Sequence, residues 1–127
     1  MLRACSFIFA ILFSGILFSQ QKHAVLIARG SEPGWYAEFR KDRLLLVTDY
    51  GKDTVTVKHD FSSVFKKKYY HATIVLPNSE GAKPPFYTIV VSIKATACIE
   101  AGSGEKRERS ITLEMDKKIL SGCATIR

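Results

Sequence analysis

The 127-residue sequence predicts an all-β domain: a small antiparallel meander of about eight strands, closed as a barrel or folded as a sandwich. Three observations carry that expectation. Apolar and polar residues alternate with a period of two along most of the chain. No stretch repeats with the 3.6-residue period of an amphipathic helix. The strand-like runs are separated by short segments rich in Gly, Pro, Asp and Lys, and short connections favour antiparallel neighbours. The length allows one domain, and a composition of 46% hydrophobic and 24% charged residues excludes a disordered or fibrous chain.

Residues 1–19 are set apart from this pattern. Arg3 is followed by an apolar run from Ala4 to Phe18 with no charge in it. About 15 apolar residues are fewer than the roughly 20 a membrane span needs, and they fit the n- and h-regions of a secretory signal. Ser19 supplies a small residue for cleavage before Gln20. The alternative is an uncleaved segment that anchors the protein in a membrane. Cys5 precedes the apolar run, so it is not placed to be an acylated lipoprotein cysteine. The expected domain is therefore 20–127, exported to the periplasm or the extracellular space. Removing Arg3 from the 19 basic side chains leaves 18 against 12 acidic ones, a net charge of +6.

Two cysteines remain in that domain, Cys98 and Cys123. An even count in an exported domain reads as a disulfide. It would close a loop of about 26 residues, for which the chain-entropy model gives roughly 3.5 kcal/mol. Two Cys are also half of a zinc set, but no His lies near either in sequence. The C-x-x-C spacing of redox catalysis is missing.

Element by element, His23 to Arg29 is a first apolar run. Trp35 to Arg40 alternates, with Trp35, Ala37 and Phe39 on one face and Tyr36, Glu38 and Arg40 on the other. Lys41-Asp42 turns the chain into Arg43 to Thr48, a strand apolar enough to be covered on both faces. Asp49 to Lys52 is a turn in which Gly51 takes positive φ. Asp53 to Lys58 alternates with Val55 and Val57 inward, and Phe61 to Lys68 is a loop or an irregular edge. Tyr69 to Leu76 is a strand, and Ser79 to Pro85 is a turn-rich connection. Phe86 to Cys98 is the longest strand pattern, with Val90 breaking its outward polarity. Ala101 to Arg109 is a loop, Ile111, Leu113 and Met115 face inward, and Lys118 to Ile126 is the last strand. The inward set of Trp35, Phe39, Val55, Val57, Ile89, Val91, Ile93, Ile111 and Leu113 is large enough to fill the interior with side chains, leaving no lipocalin-like cavity.

Some of these segments carry a resemblance. Gly30-Ser31-Glu32-Pro33-Gly34-Trp35 forms a G-x-E-P-x-W signature, followed by the hairpin Tyr36 to Arg40 and Arg43 to Val47 and by Thr48-Asp49-Tyr50-Gly51. Towards the C-terminus come Cys98, Ser103-Gly104, the strand Ile111 to Met115 and Gly122-Cys123. Over residues 28–124 this order resembles an uncharacterised family of small exported bacterial membrane proteins or lipoproteins. The family loop usually has a Met before its Ser-Gly, where this chain has Gly102. The resemblance implies an exported β domain with a C-terminal Cys pair and does not imply an activity.

Catalysis is not expected. His23, His59 and His71 sit in no nucleophile motif, and G-x-S-x-G is missing. His59 and Asp60 are adjacent, so in a strand they point to opposite faces. Carboxylates suited to glycoside chemistry exist among Glu32, Glu38, Asp49 and Asp53, but nothing singles out a pair. No spacing supports a metal, and no cofactor is expected.

Binding is the more informative expectation. Lys66-Lys67-Lys68 runs into Tyr69-Tyr70, a basic cluster beside aromatics that suits anionic lipid or acidic polysaccharide of the envelope. An exported protein rarely meets nucleic acid, which is therefore not an expected partner. Pro33 and Gly34 make a rigid turn that directs Trp35 into the core, and it would present Glu32 to a ligand or to Arg29. The alternative function is inhibition of c-type lysozyme by a Ser-Gly-rich loop, with Ser103 and Lys106 of Ala101 to Lys106 as contacts. The positive charge opposes that partner, since lysozymes of this class are themselves basic. Glu105 to Arg109 mixes both signs and reads as a solvated loop.

Overall fold

A computed structural model describes residues 23–31, 34–75, 79–80, 88–115 and 118–127. β1 (Leu26–Ser31), β2 (Gly34–Phe39), β3 (Arg43–Thr48) and β4 (Asp53–Lys58) form one antiparallel meander. The chain continues through β5 (Tyr69–Val75), a two-residue β6 (Ser79–Glu80) and β7 (Thr88–Lys94). The short pair β8 (Cys98–Ile99) and β9 (Lys106–Arg107) follows, then β10 (Arg109–Met115) and β11 (Lys118–Ile126). The main sheet runs in the order β5-β7-β10-β11-β1-β2-β3-β4-β6, and β8 and β9 make a separate hairpin. Pairing of β1 with β11, in the register Leu26 to Ile126 and Arg29 to Cys123, joins two four-strand meanders into one curled sheet. The result is a half-barrel whose eight long strands match the expected number.

Closure is incomplete among the described residues. β4 and β5 follow one another in sequence but stand on opposite sides of a seam. The segment between them fills it. Residues 62–65 form a 3-10 turn, and Phe61 and Val64 are fully buried. The Phe61 ring meets Phe39 edge-on at 5.3 Å and Tyr70 at 6.3 Å, so it ties the end of β2 to the start of β5. A stretch expected to be a loop or an irregular edge is thus the plug of the core. Its spacing of apolar residues follows neither strand nor α-helix, which is why periodicity does not mark it.

The inward face obeys the alternation. Phe39, Leu44, Leu46, Ile89, Val91, Ile93, Ile111, Leu113 and Leu120 are buried, each contributing about 1.5–3 kcal/mol of apolar transfer. Trp35 and Val57 are buried as expected, and Val55 packs only partly against the core. Leu45, Val47 and Val90 on the other face are half-covered, in line with the expectation for these two strands.

Some details differ from expectation, beginning with β1, which runs from Leu26 to Ser31 and not from His23 to Arg29. β7 ends at Lys94, and Ala95 and Ala97 are exposed, so the disulfide cysteine belongs to the separate β8. Ser79 and Glu80 pair with Val57 and Thr56 of β4 inside what reads as a turn-rich connection. β9 and the first residue of β10 fall inside the stretch read as the loop Ala101 to Arg109. The turn after β3 holds Asp49, Tyr50 and Gly51 all at positive φ (52°, 54° and 92°), not Gly51 alone. The leader, Glu32, Pro33 and the Asp116-Lys117 connection lie outside the described residues.

Candidate functional site

Cys98 and Cys123 form a disulfide with Cα atoms 5.5 Å apart. It fastens the β8–β9 hairpin to the outer face of β11, because the Cys123 side chain points away from the barrel while Leu120 and Ala124 point in. The loop joining β8 to β9 is tightly folded. Gly104 N–H donates to the Glu100 carbonyl and Glu100 N–H to the Glu105 carbonyl, both at 2.8 Å. Gly104 takes φ 71°, and the Ser103 hydroxyl accepts from Glu105 N–H. Arg107 binds Glu100 at 2.9 Å and Glu105 at 2.7 Å, and the hydrogen bond to Glu100 raises its pKa further. Ser103 and Lys106 are both exposed on this hairpin.

A groove of about 620 Å³ runs beside the disulfide. Arg29, Ser31 and Gly34 line it from the β1–β2 corner, and Cys98, Ile99 and Gly102 from the hairpin. The fold therefore brings the corner and the start of the 101–106 loop to one place. Trp35 is 5% exposed, and its indole Nε1–H donates to the Ser121 carbonyl at 3.3 Å. It belongs chiefly to the core.

Lys66, Lys67 and Lys68 do not line that groove; they sit at the start of β5, all three exposed. Their backbone is held firmly. The Arg109 guanidinium donates to the Val64 carbonyl at 3.0 Å and the Lys67 carbonyl at 3.4 Å. The Lys68 carbonyl accepts from Ala95 N–H at 2.7 Å. The β2–β3 turn lies at the same end, where Lys41 and Asp42 carbonyls accept from Phe61 and His59 N–H groups. The two chain ends of the sheet are there too, with Val25 and Arg127 bonded to each other through their backbones. One rim of the half-barrel thus carries Arg40, Lys41, Arg43, Lys66, Lys67, Lys68, Lys94 and Arg127. Among its acids, Glu38 is paired with Arg40 at 2.5 Å. The Asp60 carboxylate accepts from the Ser62 hydroxyl and N–H, bonds that hold its pKa below the usual aspartate value.

Next to that rim, the outer faces of β5, β7 and β10 form a polar grid. Tyr69, Lys94 and Ser110 lie in one cross-strand row and His71, Ser92 and Thr112 in the next. They line a shallow groove of about 330 Å³. His71 Nδ1 and Ser92 Oγ are 3.0 Å apart. The sequence shows Tyr69 beside the lysine run; it does not show the cross-strand partners, because they come from residues more than twenty positions away.

Among the described residues no group of three or more His, Cys, Asp or Glu gathers as metal ligands, and no helix is long and apolar enough to cross a membrane. Glu32, the remaining candidate contact, lies outside the described residues. No family model, no curated protein and no solved structure matches this chain.

Proposed function

We propose that this is a non-catalytic, exported envelope protein that binds an anionic envelope component through the basic rim built around Lys66, Lys67 and Lys68. The observation that carries the reading is the Arg109 clasp, which fixes this turn against β10 instead of leaving three lysines on a loose loop. Cations held in place lose less freedom on binding than cations on a floppy segment. The neighbouring Arg and Lys residues outnumber the acids of this end, Glu38, Asp42, Asp60 and Glu108, and the net positive charge raises the local concentration of anions. The disulfide supports an oxidising location, periplasmic or extracellular.

The test is sedimentation of residues 20–127 with phosphatidylglycerol vesicles and with neutral vesicles, and affinity electrophoresis in an acidic polysaccharide, each at low and high salt. Retention by at least one polyanion that weakens with salt, and weakens further when Lys66, Lys67 and Lys68 become Gln, is the expected result. Retention that ignores both salt and the substitutions defeats the reading.

A second reading, inhibition of c-type lysozyme, is favoured by one feature. The 101–106 loop is preformed by its own hydrogen bonds and stapled by the disulfide, as a cleft-entering loop must be. Addition of excess protein to a lysozyme clearing assay decides it: undiminished lysis rejects inhibition.

A further inference from the structure

We infer that the outer grid of Tyr69, His71, Lys94, Ser92, Ser110 and Thr112 is a subsite for an acidic saccharide, one sugar ring lying on the grid and its neighbour's carboxylate reaching the Lys66–Lys68 turn. This deepens the reading above and rests on it.

The grid has the composition that a sugar acid requires. Tyr69 is 54% exposed although it is aromatic, and its ring stands parallel to that of His71, within 8°, at 6.4 Å. Such rings offer an electron-rich face to the C–H surface of a pyranose. His71 is held beside Ser92, so its ring does not swing freely. Lys94 stands directly across from Tyr69 and supplies a cation for a carboxylate on the same ring. Ser92, Ser110 and Thr112 supply hydroxyl groups that both donate and accept, as sugar hydroxyls do. No acid lines this groove; Glu114 is one row further along β10, and Glu108, two residues before Ser110, is engaged by the Thr125 hydroxyl and Ile126 N–H. Strands about 4.8 Å apart and outward residues about 6.8 Å apart make a platform of roughly 10 by 7 Å, the footprint of one ring with its substituents.

The grid and the rim are also continuous. Tyr69 follows Lys68 directly, and Ser110 follows Arg109, whose guanidinium holds the Lys67 carbonyl. The distance from sugar platform to lysine turn is therefore fixed by the fold. A phospholipid surface would use the lysines but has no use for a stacked Tyr–His pair flanked by hydroxyls. This favours a polymer of acidic sugars over a lipid headgroup.

The experiment is titration of residues 20–127 with a size-defined oligogalacturonate, with a malto-oligosaccharide of equal length as the neutral control, and with phosphatidylglycerol vesicles. Oligogalacturonate binds and the neutral sugar binds far less. Tyr69→Ala weakens oligogalacturonate binding about fivefold or more, the usual loss for a central aromatic contact. Tyr69→Phe retains most of it, and the salt dependence is unchanged in both variants. Changing Lys66, Lys67 and Lys68 to Gln instead flattens the salt dependence. Tyr69 and His71 are exposed, so their replacement leaves the core intact, as circular dichroism would verify. Unchanged oligogalacturonate affinity in Tyr69→Ala and His71→Ala overturns the subsite. Salt-sensitive vesicle binding without oligogalacturonate binding overturns the subsite and leaves the basic rim standing; loss of binding to every polyanion overturns both.

Discussion

The guanidinium of Arg109, at the first residue of β10, reaches the carbonyl of Val64 at 3.0 Å across 45 positions of sequence. This contact couples the seam plug to the sheet and sets the lysine turn in place. It is charge-assisted and partly buried. Arg109→Gln is expected to cost about 1.5–3 kcal/mol in urea unfolding, the range of hydrogen bonds to a charged group. It should also speed tryptic cleavage after Lys66 to Lys68 more than it lowers global stability. Cleavage that merely tracks the global change would show that the turn is not held by this residue.

Gly122 packs where β1 and the indole of Trp35 converge. A Cβ there would collide with the Arg29 carbonyl oxygen and come within 2.8 Å of the Trp35 ring. Backbone on one side and a large ring on the other leave no cheap relaxation. Gly122→Ala should cost about 2–3 kcal/mol by overpacking. Gly102, with nothing within 4 Å of its added Cβ, is the matched control. Gly102→Ala should stay within about 0.5 kcal/mol of the parent in the same unfolding measurement.

The disulfide closes a separation of 25 residues that includes the hairpin and all of β10. Removing it frees the unfolded chain, and the chain-entropy model gives a loss of about 3.5 kcal/mol. The doubly substituted Cys98→Ser, Cys123→Ser protein should keep its β circular dichroism and lose that stability. Hydrogen exchange should accelerate first at residues 98–107, because the hairpin touches the main sheet mainly at β11. Uniform acceleration across the sheet would show that the hairpin and the barrel unfold as one unit.

Glu108 gives a pH dependence. Its carboxylate accepts from Ile126 N–H at 2.9 Å and from the Thr125 hydroxyl, and the backbone bond to Ile126 is the main cause of its lowered pKa. A carboxyl with a lower pKa folded than unfolded stabilises the fold above the unfolded value and loses that contribution as pH falls through the folded one. Stability should therefore decline on acidification below the ordinary glutamate value of 4.5. Glu108→Gln should remove part of that decline, seen as a shallower fall of unfolding midpoint with pH. The site is exposed, so solvent screening keeps the effect well under the buried-carboxylate range. An identical pH profile in the variant would assign the decline to other carboxylates.

Some of this architecture is written locally. The alternation of Trp35, Ala37 and Phe39, and of Ile111, Leu113 and Met115, names both the strand and its inner face, because a side chain's direction in a strand depends only on parity. The last strand, Lys118 to Ile126, has the same bounds in the sequence reading and the structure. An even cysteine count, read with an exported address, points to the Cys98–Cys123 bond.

What parity does not encode is which strands meet. Pairing of β1 with β11 depends on contacts between the two ends of the chain, and only the tertiary structure decides it. The same holds for Phe61 and Val64, whose apolar side chains follow no period but fill the gap that opposite ends of a curled sheet leave open. It holds also for the two surfaces proposed to bind. The lysine run is visible in the sequence, but its fixation by Arg109 and its continuity with Tyr69, Lys94 and Ser110 come from strands that the fold alone makes neighbours.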